Sequence, residues 1–376
     1  MAGAPAGAPA EAEAAAGPLH EAERDRGAWA GRDPFGLVAE EARCISQRLR
    51  MEIKTEVPAL GAAAEYFFRD GVEGKRMRSS ILLLLASSVA DRPPDPSALT
   101  VDDAPMKSLP PSVRRRQQRI AEITEMIHVA SLLHDDVIDR AKTRRGIQAL
   151  NVEMGNKLAI LAGDFLLARA SSTLASLQST EAVSLLSTVI EHLVAGEVMQ
   201  MSTTEADALD FDRYCLKTFY KTASMMAHSA KATTLLGGHP EAVNDLAYDY
   251  GKHVGLAFQY IDDVLDFTGD ASILGKPVLN DLKSGIATAP VLFAAREHPE
   301  LVPLVHRRFR REGDVSEAAE LVLRSGGIEK SRAMAEEHAG MAIKAICDMP
   351  AAGHSHASEA RDALVEIARR VLLRKK

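Results

Sequence analysis

From Asp33 onward, apolar residues recur at intervals of three and four, and this spacing is the feature that most restricts the fold. The clearest run is Ile120, Ile123, Ile127 and Ala130, continuing to Val137. Residues 155–175, 181–203, 209–236 and 241–268 carry the same period. Strand-like alternation is scarce, and aromatic residues make up only 5% with one Trp, which argues against a β-sandwich. The expectation is an all-α fold over 33–376, with no linker rich enough to separate domains and no fixed-period repeat. Asp33-Pro34 reads as an N-cap and first helical position. Asp314 with Glu317 reads as a capping box, and Ser325-Gly326-Gly327 as a turn before a helix. The proline-rich stretch 91–112 reads as a long loop, and residues 1–32 as an Ala/Gly/Pro-rich disordered tail.

Composition removes several function classes. With 376 residues and 46% apolar content, a large core needs no disulfide or metal staple. A formal net charge of −7 disfavours a nucleic-acid binder that works through bulk positive charge. Cys44, Cys215 and Cys347 are too scattered for a disulfide framework and suit an intracellular reducing compartment. The longest apolar stretches, such as 81–90, are near ten residues, too short to span a bilayer. The tail has neither the basic start and apolar core of a secretory signal nor the Arg/Ser bias of a transit peptide. Plastid, mitochondrion, cytosol and the endoplasmic-reticulum surface all stay open.

Two acidic clusters interrupt the apolar pattern. Asp135, Asp136 and Asp139 follow Leu132-Leu133-His134; Asp262, Asp263 and Asp266 follow Gln259-Tyr260-Ile261. Both spell DDxxD. On a helix, i and i+4 share a face, so Asp135 projects with Asp139 and Asp262 with Asp266. Six carboxylates in apolar helices need compensating cations. An oxygen-only set points to Mg²⁺ rather than Zn²⁺, and Mg²⁺ is ordinarily completed by substrate phosphates. A diphosphate substrate follows. Basic residues suit it: Gly74-Lys75-Arg76-Met77-Arg78 opens an apolar helix, Arg144-Arg145-Gly146 follows the first cluster, and Lys221-Thr222 and Gly275-Lys276 lie near helix ends. Neither GxxxxGK[ST] nor a strand-borne GxGxxG is present, so metal ions and Arg/Lys forks must hold the phosphates.

The GKxxR, the first DDxxD, the TRRG, the KT, a second DDxxD about 125 residues after the first, and the GKxxxxD, in that order, resemble the trans-polyprenyl diphosphate synthase family. Within it, the chain is most similar to the long-chain, plant-type solanesyl branch, from Asp33 to the C-terminus. The resemblance implies the isoprenoid synthase helical bundle around a central diphosphate/Mg²⁺ cavity. It implies that Lys75, Arg78, His128 and Arg145 hold the isopentenyl diphosphate head group. Asp135 and Asp139 would be first-motif Mg²⁺ ligands, with Asp136 in the same cluster. Asp262 would be the chief second-motif ligand, supported by Asp263 and Asp266. Arg144, Lys221, Thr222, Gln259 and Lys276 would contact the allylic diphosphate, and Asp281 would close the site. Two departures stand out: Ile286 occupies a place where many members carry Lys, and Glu73 replaces the first glycine of GGKR.

The implied chemistry is ionisation of the allylic diphosphate, then alkylation of isopentenyl diphosphate, with the departing diphosphate taking the proton. The site must be dry, because water would trap the cation. Ile127, Ala130 and Ser131 precede Asp135 on the path of the growing tail. Small Ala130 leaves that path open, so a long product is expected, solanesyl first, to serve ubiquinone or plastoquinone biosynthesis, with Phe165 and Leu161 as candidate floor residues. A geranylgeranyl-type product and a non-catalytic regulatory subunit are the alternatives. A class I terpene cyclase is disfavoured by the second DDxxD and by Lys75 and Arg78. The family implies a homodimer, and an insoluble product implies peripheral membrane contact. His134 reads as a structural histidine, Cys215 as core or rim, and His354 and His356 as exposed loop residues.

Overall fold

The computed structural model describes residues 31–66, 76–95, 99, 101, 109–110, 112–144, 146–269 and 278–374. Among these, the chain is helical apart from one hairpin. A 3₁₀ turn Gly36–Val38 leads into α1 (Ala39–Glu52), α2 (Pro58–Glu65), α3 (Met77–Ser88) and α4 (Val113–Ile138). Strands β1 (Thr143–Arg144) and β2 (Ile147–Gln148) follow, antiparallel, with Thr143 opposite Gln148 and Arg144 opposite Ile147. Then come α5 (Leu150–Glu153), α6 (Asn156–Ser176), α7 (Thr180–Met201) and α8 (Phe211–Thr218). A π-helical turn, Phe219–Ala223, joins α8 to α9 (Ser224–Leu235), and α10 (Glu241–Thr268) follows. The chain ends with α11 (Asn280–Lys283), α12 (Ala289–Ala295), α13 (Leu301–His306), α14 (Asp314–Arg324), α15 (Gly327–Asp348) and α16 (Ser355–Leu372).

Local chemistry sets many of these boundaries. Ser112 and Ser179 accept the backbone N–H groups of Arg115 and Ala182 at 3.3 and 3.2 Å, capping α4 and α7. Asp210 caps α8 through Asp212 N and Arg213 N at 2.9 and 3.2 Å. The helices expected over 155–175, 181–203 and 241–268 appear within one or two residues. The one expected over 209–236 also runs without a break, but its middle turn is π rather than α.

Helices α4 and α10, which carry the acidic motifs, are the spine of the bundle. α4 packs on α6, α3 and α9, and α10 lies between α9 and α15. The α9–α10 approach depends on absent side chains. A Cβ at Gly251 would stand 2.4 Å from the Met226 carbonyl oxygen, and one at Gly255 would stand 2.7 Å from Ala223 Cα. A second, smaller core forms beyond Val264, where Leu282, Val291, Leu304, Ala318 and Val322 are buried together.

Several local expectations are corrected. Asp33 accepts the Phe35 N–H at 3.1 Å and opens a turn, with the α-helix beginning only at Ala39. Asp314 is not a cap: Gly313 precedes α14, and Asp314 instead takes the Arg307 guanidinium in two bonds of 2.8 and 2.7 Å. His354 is half-buried; its Nδ1 accepts Ala357 N and its Nε2 lies 2.9 Å from the Ala90 carbonyl. Finally, α6 and α7 are long and apolar enough, by length and composition alone, to cross a membrane. Counting uninterrupted apolar runs missed this, because isolated residues such as Asp164 and Glu191 break the runs without making the helices polar overall.

Candidate active site

The first motif closes α4. Asp139 is the C-cap, and its N–H bonds the Asp135 carbonyl at 2.8 Å. The two carboxylates share a stripe as expected, Asp135 half-buried and Asp139 exposed. Asp136, one residue round the helix, points into the fold and is fully buried. Arg144 on the hairpin holds it, with Nε 2.9 Å from Oδ1 and Nη2 on the same oxygen. Asn151 then fixes the corner by donating to the Asp136 and Ala141 carbonyls, both at 3.1 Å. Asp136 and Arg144 are thus partners of one another, and their geometry separates Asp136 from Asp135 and Asp139.

The second motif divides differently: Asp262 and Asp266, expected to project together, part company, because Asp266 is buried with Asp263. Asp262 is the partly exposed member; Arg374 Nη2 lies 3.9 Å from it, while the Arg374 guanidinium sits 3.7 Å above the Phe258 ring. Asp263 is buried and saturated: it accepts from the Tyr214 hydroxyl, from Gln259 Nε2 at 2.9 Å and from Ala289 N at 3.3 Å. Burial nevertheless lifts its carboxyl to about 6, against the lowering effect of those bonds. Asp266, also fully buried, accepts the N–H groups of Asn280 and Asp281 at 3.1 and 3.0 Å, so it anchors the segment bearing Asp281.

Between the motifs runs the α8–π–α9 segment. The wide π turn presents Lys221 and Thr222 inward, the kind of irregularity often found at functional sites. Lys221 ion-pairs with Glu197 of α7. The approach requires Gly196, where a Cβ would stand 2.7 Å from Lys221 Cγ. Thr222 donates its hydroxyl hydrogen to Gln259 Oε1 at 2.9 Å, so a relay runs Thr222, Gln259, Asp263, Tyr214. Glu197 and Tyr214 escaped the sequence reading. The signal for Glu197 was a carboxylate directly after a glycine in a largely apolar helix.

The charge balance at the first motif favours a hard cation. Burial raises the Asp135 carboxyl to about 6; Glu197 and Asp139 push it further up, while Lys221 and Arg144 pull it down. Asp139 is raised by burial and then by Glu197. Carboxylates in surplus over their cations, all oxygen donors, suit Mg²⁺. Among the described residues, no three His, Cys, Asp or Glu side chains close into a metal cage. Such a metal would draw its remaining ligands from substrate oxygens and water.

Farther up α4, Arg78 Nη1 lies 3.0 Å from His128 Nε2, joining two residues expected at one head group. Lys75, Arg145 and Lys276 lie outside the described residues, as do Glu73 and Gly275. Ser131 is half-buried, with its hydroxyl 2.9 Å from the His128 carbonyl, whereas Ala130 and Ile127 are sealed in the core. Leu161 is 56% exposed, which removes it as a floor to any channel within this chain; Phe165 remains half-buried under the Arg169 guanidinium. His134 lies 3.1 Å from the Ile160 carbonyl, and Cys215 is half-buried beside the Tyr260 hydroxyl. A cavity of about 750 Å³ opens beside Asp139 and Glu197, walled by Lys217, Arg213, Ile286 and the 305–311 segment.

Residues 57–322 match the family model described as polyprenyl synthetase. The chain belongs to the polyprenyl synthetase family. This polyprenyl synthetase is a prenyltransferase with the all-helical isoprenoid synthase fold. A rice protein named solanesyl-diphosphate synthase 1, mitochondrial, is 51% identical over 92% of this chain and 79% of its own length. The apo form of an Arabidopsis medium/long-chain length prenyl pyrophosphate synthase superposes with a TM-score of 0.74. It is 42% identical, over 92% of this chain and all of its own. A Caulobacter crescentus polyprenyl synthase, whose structure is described as complexed with calcium and isoprenyl diphosphate, has a TM-score of 0.76. It is 28% identical, over 91% of this chain and 97% of its own.

Proposed function

We propose that this chain extends an allylic diphosphate with isopentenyl diphosphate and makes a long polyprenyl diphosphate of the solanesyl class for a quinone side chain. The observation that carries this reading is the convergence of both acidic motifs on one cationic segment. Asp135 and Asp139 feel Lys221, and one turn earlier Lys217 feels Asp263 and Asp281. Asp135, Asp139 and Asp262 are the partly exposed carboxylates and would hold Mg²⁺; Asp136, Asp263 and Asp266 hold the surrounding structure. When bound, Mg²⁺ neutralises the departing diphosphate, which favours ionisation of the allylic C–O bond.

The chain's own residues divide the remaining work. Arg78 and His128, with Lys75 and Arg145, take the isopentenyl head group. Seven residues separate His128 from Asp135, about 10 Å along the helix axis, which leaves room for two diphosphates on one stripe. Lys221 places its ammonium at the leaving group and Glu197 orients it. Thr222 has given its hydroxyl hydrogen to Gln259, so it acts by aiming Gln259, whose second amide N–H stays available for a phosphate oxygen. Lys276 would add charge at the allylic diphosphate. The relay through buried Asp263 and Tyr214 stiffens this wall, and the closely packed apolar residues around Ala130 and Ile127, which the growing tail must part to lengthen, keep water from the cation.

Exposed Val194, Val198 and Met201 share one face of α7, which supports a homodimer. The product's insolubility supports transient contact with a membrane surface. The mitochondrial name of the rice relative and three free cysteines support a reducing organelle interior.

The test is incubation of the purified chain with labelled isopentenyl diphosphate, an allylic primer and Mg²⁺, followed by sizing of the dephosphorylated products. A ladder ending near solanesyl is expected, shortened by Ala130→Phe. A ladder ending at geranylgeranyl would replace the long-chain reading. No condensation would favour the regulatory-subunit reading.

A further inference from the structure

The dipeptide Lys217-Thr218 repeats four residues later as Lys221-Thr222, but the two lysines stand in different surroundings. Lys221 is neutralised by Glu197. Lys217 has no carboxylate within 4.0 Å among the described residues. Its ammonium rests 5.5 Å from the Tyr214 ring centroid and lines the cavity that also exposes Asp139 and Glu197. Burial lowers its proton affinity, while Asp263, Asp281 and Glu197 raise it and Lys221 lowers it further. A largely desolvated ammonium without a partner is costly unless an anion completes it. Elsewhere on the cavity lining Ile286 is apolar, Arg213 is engaged with Asp207 at 3.7 Å, Arg307 is paired with Asp314, and Arg308 donates to the Thr203 carbonyl at 2.5 Å, while Arg310 and Arg311 add further positive charge. The arrangement suits a multiply charged oxyanion entering past Asp139 and meeting Lys217 first.

We infer that Lys217 is a second diphosphate-binding lysine, contacting the allylic diphosphate and the inorganic diphosphate it releases from the cavity side, one turn before Lys221. This rests on the reading of the site as a prenyl diphosphate synthase centre. It separates the two lysines by role: Lys221 is fixed by Glu197, whereas Lys217 is held open for the anion.

The test measures inorganic diphosphate binding by calorimetry in the presence of Mg²⁺, alongside steady-state kinetics, for the wild type, Lys217→Met, Lys217→Arg and Lys217→Met/Ile286→Lys. For Lys217→Met, a roughly tenfold weaker inorganic diphosphate affinity and a similar rise in KM for the allylic diphosphate are expected, equivalent to one charge-assisted contact. KM for isopentenyl diphosphate should stay within about twofold. Lys217→Arg should keep most of the affinity, and Ile286→Lys, lining the same cavity, should restore part of it. Unchanged diphosphate affinity in Lys217→Met would overturn the inference. So would an equal loss in Lys217→Arg, which would mark a packing role. A wild-type chain that binds diphosphate but condenses nothing would instead overturn the functional reading and leave this site standing.

Discussion

The Tyr214 hydroxyl donates to the buried carboxylate of Asp263, tying α8 to α10 at the point where the second acidic motif begins. The same carboxylate takes Gln259 and the first residue of α12, so one side chain joins three elements. Tyr214→Phe leaves a buried acceptor short of a donor and is expected to cost about 1–3 kcal/mol. Chemical denaturation should show the loss, with KM for the allylic diphosphate rising because Asp263, which holds Gln259, loses one of the donors that fix it.

The two aspartates of the first motif should fail differently. Asp135→Asn removes a partly exposed carboxylate that the fold does not use, so thermal stability should hold while kcat falls by roughly 10²–10³ and the Mg²⁺ requirement rises. Asp136→Asn weakens the buried pair with Arg144 and should lower the melting temperature as well as activity. Parallel melting curves and Mg²⁺ titrations distinguish the two.

A buried network joins α1 to α4. Arg48 Nε meets Glu122 Oε1 at 2.6 Å, Arg119 Nη1 meets Glu122 Oε2 at 3.0 Å, and Arg48 Nη2 donates to Gln118 at 2.9 Å. Glu122→Ala would strand two buried guanidinium groups and should destabilise the chain by about 3–5 kcal/mol. Urea denaturation midpoints would measure it.

His253 and His338 bring their Nδ1 atoms to 2.9 Å, and Tyr260 stacks on His338. Burial, then His338 and Lys252, push His253 down to about 4; burial also lowers His338, with Glu337 opposing and Lys252 reinforcing. The folded state therefore binds fewer protons than the unfolded chain between about pH 4 and the ordinary histidine value of 6.5. Their contribution to stability is complete above 6.5 and is lost as pH falls through that window. The melting temperature should drop between pH 7.5 and 5, and less in His253→Gln. An equal drop in that variant would refute the assignment.

Much of this was legible in one dimension. A period of 3.6 residues is a local property, so α6, α7 and α10 could be bounded within a few residues and the core of α4 recognised. The DDxxD spacing likewise put Asp135 with Asp139 without any knowledge of neighbours. The π turn at Phe219–Ala223 was not legible, because it departs from the period by a single residue. The polar network on α4 was also hidden: nothing local marks Arg114, Gln118, Arg119 and Glu122 for the interior, and they are covered only because Glu41 and Arg48 of α1 pack on them.

The sequence by itself determined the helical class, the two acidic motifs and the order of the basic segments, since each depends on residues a few positions apart. Tertiary structure alone decided the division of labour within each motif. It turned Asp136 to Arg144 and Asp263 to Tyr214, and it left Asp135 and Asp262 facing outward. It also paired Lys221 with Glu197 while leaving Lys217 open. Neighbouring carboxylates on a helix differ by about 100° in direction, and only the elements packed on either side determine which direction is core and which is solvent.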